Sequence, residues 1–304
     1  MKSGFISILG RPNVGKSSLM NALIGEKVSI VSPKAQTTRD RVNGILTTKD
    51  CQMIFIDTPG VHKPKNQLGK YMDKCVRGAS SGADAVVIVL DVTRRVADSD
   101  IEFIEKHLKG ETPVFLALNK VDAAGYDKVY PTLEKLSFLL QSAEGRSAVR
   151  EIVPVSAKSG RNVGLLKDFL VGVLPEGPFY YPEDEITDKS ERYMIAEIIR
   201  EKSLILLNDE IPHGIGVDIR SMFYDEYGTA HIAIDIIAEK DSHKPIIIGS
   251  GGEKLKMIAE HARRDVEKLL DCKVYMELFV KVRSDWRNNS GVMSDIGYDP
   301  KKLG

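Results

Sequence analysis

Gly10-Arg11-Pro12-Asn13-Val14-Gly15-Lys16-Ser17 has the GxxxxGK[ST] spacing of a loop that wraps phosphates. Glycines at its ends let backbone N–H groups turn inward around an anion. Lys16 can then reach the β- and γ-phosphates, Ser17 can hold Mg²⁺, and a helix opening at Ser18 would aim its positive end at the same anion. An apolar stretch, residues 5–9, precedes the motif and supplies the strand it requires.

A second set, Asn119-Lys120-Val121-Asp122, follows the apolar run 114–118. Guanine presents donors at N1 and N2, and one carboxylate can accept from both. Asp122 suits that role, with Asn119 tying the loop and the Lys120 stem lying along the base. Adenine would leave the carboxylate desolvated and unpaired, so the pattern selects guanine. Ser156-Ala157-Lys158, after a further apolar run, fits a loop whose backbone N–H faces guanine O6.

Between these sets lies Asp57-Thr58-Pro59-Gly60, ending another apolar run. Asp57 can hold a Mg²⁺-bound water, and the Gly60 N–H can reach the γ-phosphate. Residues 32–40 form a polar segment with two hydroxyls, Thr37 and Thr38, one of which should coordinate Mg²⁺ in the GTP state and let go after hydrolysis. Thr38 is favoured over Thr37. The pattern thus predicts GTP and GDP as nucleotides and Mg²⁺ as cofactor. Ser17, Thr38 and Asp57 are its candidate metal ligands, and Lys16, Thr38 and Gly60 its candidate catalytic groups.

These motifs need a scaffold. Apolar runs at 5–9, 53–57, 85–91, 114–119 and 152–155 alternate with helix-like segments, the rhythm of βα units around a mostly parallel six-stranded sheet with helices on both faces. The sixth strand, 43–48, has too few residues before 53 for a parallel return and should pair antiparallel. Residues 175–189, rich in proline and acid, read as a linker between a first domain, 1–174, and a second, 190–287. Residues 288–304 form a tail expected to be loosely ordered.

The chain's 304 residues suit two domains, and its 42% hydrophobic content can fill two cores. Forty-three basic and 43 acidic residues cancel, so any basic surface is local. Cys51, Cys75 and Cys272 lack disulfide or zinc spacing and read as reduced. The six histidines form no metal set. No stretch has membrane-spanning length, and a cytoplasmic protein is expected.

The second domain reads as a helix (190–207), two strands (214–223 and 229–238), a helix (253–270) and a strand (273–282). Gly249-Ser250-Gly251-Gly252 forms a GxxG tetrad between Ile248 and a helix with apolar residues at Leu255, Ile258, Ala262, Val266 and Leu269. Such a loop can bring backbone N–H groups against a nucleic-acid backbone without Cβ obstruction. Lys244, Lys254, Lys256, Arg263, Arg264 and Lys281 surround it in sequence. Ile248, Gly249, Ser250, Gly251, Gly252, Lys254 and Lys256 are the candidate RNA contacts. Ile246 and Ile248 serve either a platform or the core.

Over residues 4–174 the order of motifs resembles the translation-factor-like class of GTPases. One departure from Ras-like members matters: Val61 follows Gly60 where those proteins place a water-orienting glutamine, and an apolar side chain cannot orient water by hydrogen bonding. In some relatives the asparagine at the Asn13 position holds K⁺ beside the phosphates, so K⁺ near Asn13 and an Asn13 that only shapes the loop are the two readings that resemblance leaves. The helix, two strands, GxxG, helix, strand order resembles a KH domain of the bacterial type, type II, a smaller α+β fold.

The combination resembles the Era family, as do Ile186-Thr187-Asp188, the run 197–202 and the run 278–282. That resemblance implies a GTPase that binds the 3′ end of 16S ribosomal RNA and acts in assembly of the 30S subunit, as a monomer. It also implies peripheral contact with the inner membrane, for which the sequence shows no lipid-binding feature. A timer, in which hydrolysis releases the RNA-binding state, competes with an RNA chaperone that nucleotide merely stabilises. A tRNA-modifying GTPase would need a cofactor domain and a reactive cysteine, and neither is visible.

Overall fold

Four apolar runs of the first unit, 5–9, 53–57, 85–91 and 114–119, are buried almost throughout because both of their faces are covered by other elements. The computed structural model describes residues 1–34, 36–60, 64–79, 82–142, 147–299 and 301. Strands β1 (Lys2–Leu9), β2 (Val42–Thr47), β3 (Cys51–Asp57), β4 (Ala85–Asp91), β5 (Val114–Asn119) and β6 (Glu151–Pro154) form one sheet, ordered β2-β3-β1-β4-β5-β6. All neighbours are parallel except β2 and β3, whose short turn permits only the antiparallel pairing.

Helices α1 (Lys16–Ile24), α2 (Gln67–Ala79), α3 (Asp98–His107), α4 (Tyr126–Leu136) and α5 (Val163–Val173) fill the connections. Ile104 of α3 and Leu136 of α4 seal one face of the sheet over Leu9, Ile88, Leu116 and Leu118. The five parallel strands deliver their C-terminal ends to one rim, where ligands bind in such folds.

The proline- and acid-rich stretch after Leu174 is tied down along its length. Gly177 donates to Met1 O at 3.1 Å, the Gln52 side chain bonds the backbone at Tyr180 and Tyr181, and Ile45 N donates to Ile186 O at 2.9 Å. Asn43 N reaches Asp188 at 3.1 Å.

The second compact unit comprises residues 189–304 together with two segments of the N-terminal half, Ile30–Thr37 and a stretch ending at Lys74. Helix α6 (Glu191–Leu206) starts on a Ser190 cap. Strands β7 (Gly216–Tyr224), β8 (Ala230–Ala238) and β9 (Val274–Val282) form a three-stranded sheet, with β7 antiparallel and β9 parallel to β8. Helices α7 (His243–Ile248) and α8 (Glu253–Leu270) enclose the tetrad. Ile195, Ile198 and Ile199 of α6 and Ile258, Ala262 and Val266 of α8 pack on Ile232, Ile234 and Ile236 of one sheet face.

Within this unit Val31 N donates to Glu201 Oε1 at 2.9 Å, Lys34 Nζ reaches Leu207 O, and Arg200 Nη2 reaches Thr37 O. Arg200 is buried against Glu197. Burial opposes its charge, and the Glu197 carboxylate more than restores it.

The tail departs from expectation. Just before it, Trp286 is fully buried and donates from Nε1 to Gly214 O at 2.8 Å. Asn289 caps helix α9 (Ser290–Asp295), which buries Met293, and Tyr298 is buried with ring contacts to Tyr71 and Trp286. Large apolar side chains outweigh the glycines and polar residues that made this stretch read as loose.

Candidate functional site

Gly15 ends the phosphate loop at φ 97° and caps α1. A Cβ there would lie 2.3 Å from the Asn119 amide nitrogen, so only glycine lets the two loops meet. Lys16, buried at the start of α1, donates from Nζ to Arg11 O at 3.2 Å. Desolvation lowers its pKa and Asp57 opposes the shift. A cation held this way gains strongly when an anion enters the loop.

Three hydroxyls converge on Asp57 Oδ2: Ser17 at 2.6 Å, Ser29 at 2.9 Å and Thr38 at 3.4 Å. Ser17 and Thr38 are 2.9 Å apart. Asp57 is completely buried, and its Oδ1 accepts no hydrogen bond. Burial pushes the carboxyl up, and Lys16 and the three hydroxyls pull it back down. An orphaned carboxylate oxygen beside two hydroxyls is an oxygen donor set that fits Mg²⁺. The Thr37 hydroxyl bonds Ser32 Oγ and Lys34 O instead, so Thr38 is the threonine brought to Asp57.

Ser29 carries no motif. Asn21 on α1 holds its backbone, accepting from Val28 N and Ser29 N and donating to Ser29 O. A serine 4% exposed at the foot of a polar loop was the signal, and burial is invisible in sequence.

Gly60 follows Asp57, Thr58 and Pro59 toward the phosphate loop. A Cβ on Gly60 would lie 2.8 Å from Pro12 backbone atoms, so its own backbone closes on that loop. Val61 lies outside the described residues.

The base-side loops are cross-tied. Asn119 donates to Val14 O at 2.9 Å and accepts from Ala157 N at 3.0 Å. Ser156 Oγ donates to Asp122 at 2.6 Å, orienting an exposed carboxylate. Lys120 Nζ bridges Asn13 O and Asp91 Oδ2, each at 2.7 Å. Burial alone would raise the Asp91 carboxyl, but hydrogen bonds from Lys120 and Thr93 hold it below the usual range. Asp91, absent from the motif reading, thus fixes the Lys120 stem. Ser18 follows Ser17 within α1, and Lys158 is exposed. Arg11 points away from the loop, to Asp100 at 2.6 Å and Ser99 at 2.5 Å.

In the second unit Gly249, Gly251 and Gly252 all have positive φ, and Gly252 precedes the first turn of α8. A Cβ on Gly251 or Gly252 would meet nothing, so the loop faces open space. Ser250 and Lys256 are exposed and Lys254 is half-buried. Ile247 is the fully buried core residue, Ile248 packs beside it, and Ile246 is exposed. Lys281 does not join the loop's charge: it pairs with Asp235 at 2.6 Å on the sheet.

The fold defines a P-loop GTPase followed by a KH domain. A model of the 50S ribosome-binding GTPase family matches residues 5–120, and a KH domain model matches residues 210–287. The chain is 48% identical over 301 residues to GTPase Era of Clostridium botulinum (strain Kyoto / Type A2), covering 99% of each chain. It is 46% identical over 297 residues to GTPase Era of Clostridium novyi (strain NT), covering 98% of this chain and 99% of that one. Among solved structures, Era in complex with MgGDPNP and nucleotides 1506–1542 of 16S ribosomal RNA superposes with a TM-score of 0.91 at 38% identity, covering 98% of this chain and 99% of that one. A point variant of Aquifex aeolicus Era bound to GDP and AlF4⁻ gives 0.91 at 38% identity, covering 98% and 100%. The chain belongs to the Era family of GTPases.

Proposed function

We propose that this GTPase binds the 3′ end of 16S ribosomal RNA through the KH loop and acts in assembly of the 30S subunit, with GTP hydrolysis timing the RNA-bound state. The observation that carries the switch is the convergence of Ser17 and Thr38 hydroxyls on buried Asp57, whose second oxygen accepts nothing. The RNA assignment is supported by the open face of the Gly249–Gly252 loop and by the RNA in the Era complex.

GTP sits with its phosphates in the Gly10–Ser17 loop and its base against Asn119, Asp122 and Ala157. Ser17, Thr38 and Asp57 would hold Mg²⁺, which would supply positive charge to the β- and γ-phosphates. Lys16 and loop N–H groups stabilise negative charge as a water oxygen bonds the γ-phosphorus and the bridging P–O bond breaks, releasing GDP and phosphate. The Gly60 N–H follows the γ-phosphate, and Thr38 leaves once that group is gone. With Val61 after Gly60, no glutamine orients the water. Asn13 would hold K⁺, which would supply the further charge there; faster turnover in K⁺ than in Na⁺ would support this, and equal rates would refute it.

We place the protein in the cytoplasm as a monomer with peripheral contact to the inner membrane surface. No helix among the described residues is long and apolar enough to cross a membrane. Flotation with anionic vesicles tests that contact.

The timer is tested by measuring affinity for a 16S 3′-terminal oligonucleotide with a GTP analogue, GDP and no nucleotide. Tighter binding in one nucleotide state is expected. Equal affinity in all three, with hydrolysis intact, would favour the chaperone reading.

A further inference from the structure

The face of the β7-β8-β9 sheet turned away from α6 and α8 is covered at one end and bare at the other. At the covered end Trp286 and Ile296 close over Gly216 and Ile237. At the bare end, cross-strand partners Phe223, His231 and Tyr275 form a row, one residue from each strand. Phe223 and His231 stack with centroids 5.1 Å apart and planes 7° from parallel, and His231 meets Tyr275 at 5.5 Å. Phe223 is 58% exposed and Tyr275 54%, and Phe279 adds a further exposed ring on the same face.

This row is built. Asp225 in the β7–β8 turn accepts from Tyr227 N and Thr229 N through Oδ1 while Oδ2 meets His231 Nε2 at 2.9 Å, fixing the central ring. Exposed rings held flat are disfavoured in water and mark interaction surfaces. The charge around them is negative. Half-buried Asp225, held on His231, and exposed Glu226 and Glu277 outnumber exposed Lys273 at the margin, and Glu277 also takes the Tyr275 hydroxyl at 3.4 Å. Lys281 and Arg220, on the same sheet, are committed to Asp235 at 2.6 and 3.7 Å.

A phosphate backbone would be repelled by such a rim. A guanidinium suits it, because it stacks on aromatic faces and offers paired donors to carboxylates. We propose that the bare half of this sheet face, centred on Phe223, His231 and Tyr275, docks an arginine-rich segment of a partner protein. This goes beyond the GxxG loop, which lies between the helices and serves a polyanion.

The test uses the full chain and three fluorescent probes: a short peptide alternating arginine with glycine, its lysine counterpart and a short oligouridylate. Binding is read by anisotropy against wild type, Phe223→Ala, Tyr275→Ala and Glu277→Gln. GTP hydrolysis and circular dichroism monitor the fold, which these exposed changes should spare. The arginine peptide should bind about threefold tighter than the lysine peptide, and each aromatic variant should weaken it about fivefold, Glu277→Gln about threefold. Arginine-peptide binding untouched by the variants, or no binding, overturns the proposal. So does oligouridylate binding that Tyr275→Ala weakens while peptide binding stays, which would make the face an RNA platform.

Discussion

Ser29 donates its hydroxyl to Asp57 Oδ2 at 2.9 Å, the oxygen that Ser17 also reaches. Oδ1 is left with no partner, so Ser29 helps Ser17 and Thr38 fix which Asp57 oxygen is available. Ser29→Ala should weaken Mg²⁺ binding about tenfold, as loss of a group that orients a ligand does. Nucleotide affinity in the presence of chelator should stay within about twofold. Titrating Mg²⁺ against a fluorescent GDP analogue measures both, and an unchanged Mg²⁺ midpoint would remove Ser29 from the site.

Ser156 donates to Asp122 Oδ1, and Asp122 is the proposed acceptor for the paired donors of guanine. An amide accepts one hydrogen bond and donates another, which matches xanthine, with a carbonyl where guanine has its amino group. Asp122→Asn should cut GTP affinity about a hundredfold or more and raise that for XTP. Competition binding with the two nucleotides reads the exchange; retained preference for GTP would mean that Asp122 does not face the base.

Arg11 is committed to Asp100 and Ser99 on the far side of the loop. Arg11→Ala should therefore leave single-turnover hydrolysis within about threefold, well short of the thousandfold loss when a transition-state arginine is removed. A larger drop would show that the guanidinium swings back to the phosphates.

Trp286 combines full burial with the hydrogen bond to Gly214. Trp286→Ala should destabilise the second unit by about 3–5 kcal/mol. Trp286→Phe keeps most of the ring and loses the donor, and should cost about 1–3 kcal/mol. Urea unfolding followed by circular dichroism separates the two.

Gly251 has φ 57° and open space beyond its Cα, so a side chain fits there at modest strain. Gly251→Asp adds charge where a phosphate is proposed to pass. RNA affinity should fall about tenfold or more while basal GTP hydrolysis stays unchanged. Equal RNA affinity would relocate the nucleic-acid interface.

The nucleotide site was legible because its chemistry is local: each motif sits at a strand end, and the apolar runs that announce β4 and β5 coincide with the observed Ala85–Asp91 and Val114–Asn119. The antiparallel β2 followed from loop length alone. Ser29 and Asp91 stayed hidden because they act through burial and distant partners. Lys281 misled because nearness in sequence to a loop says nothing about a carboxylate across the sheet. The tail misled for the opposite reason: its glycines and polar residues outnumber Met293 and Tyr298, and those two, beside buried Trp286 just before the tail, decide its fate by burial.

Ile30–Thr37 belongs with partners made far later. Val31, Thr37 and Lys34 bond Glu201, Arg200 and Leu207, separated by 170, 163 and 173 residues. During synthesis at ~5–20 residues per second, this loop would wait roughly 8–35 s after emerging before those partners exist. A single cut before Lys189 would part this loop from its partners. A fragment beginning at Lys189 would lack the carbonyl of Thr37 that Arg200 reaches, and a fragment ending there would carry a loop without its anchor. A nascent chain acquires its loop anchors only when translation is about two-thirds complete.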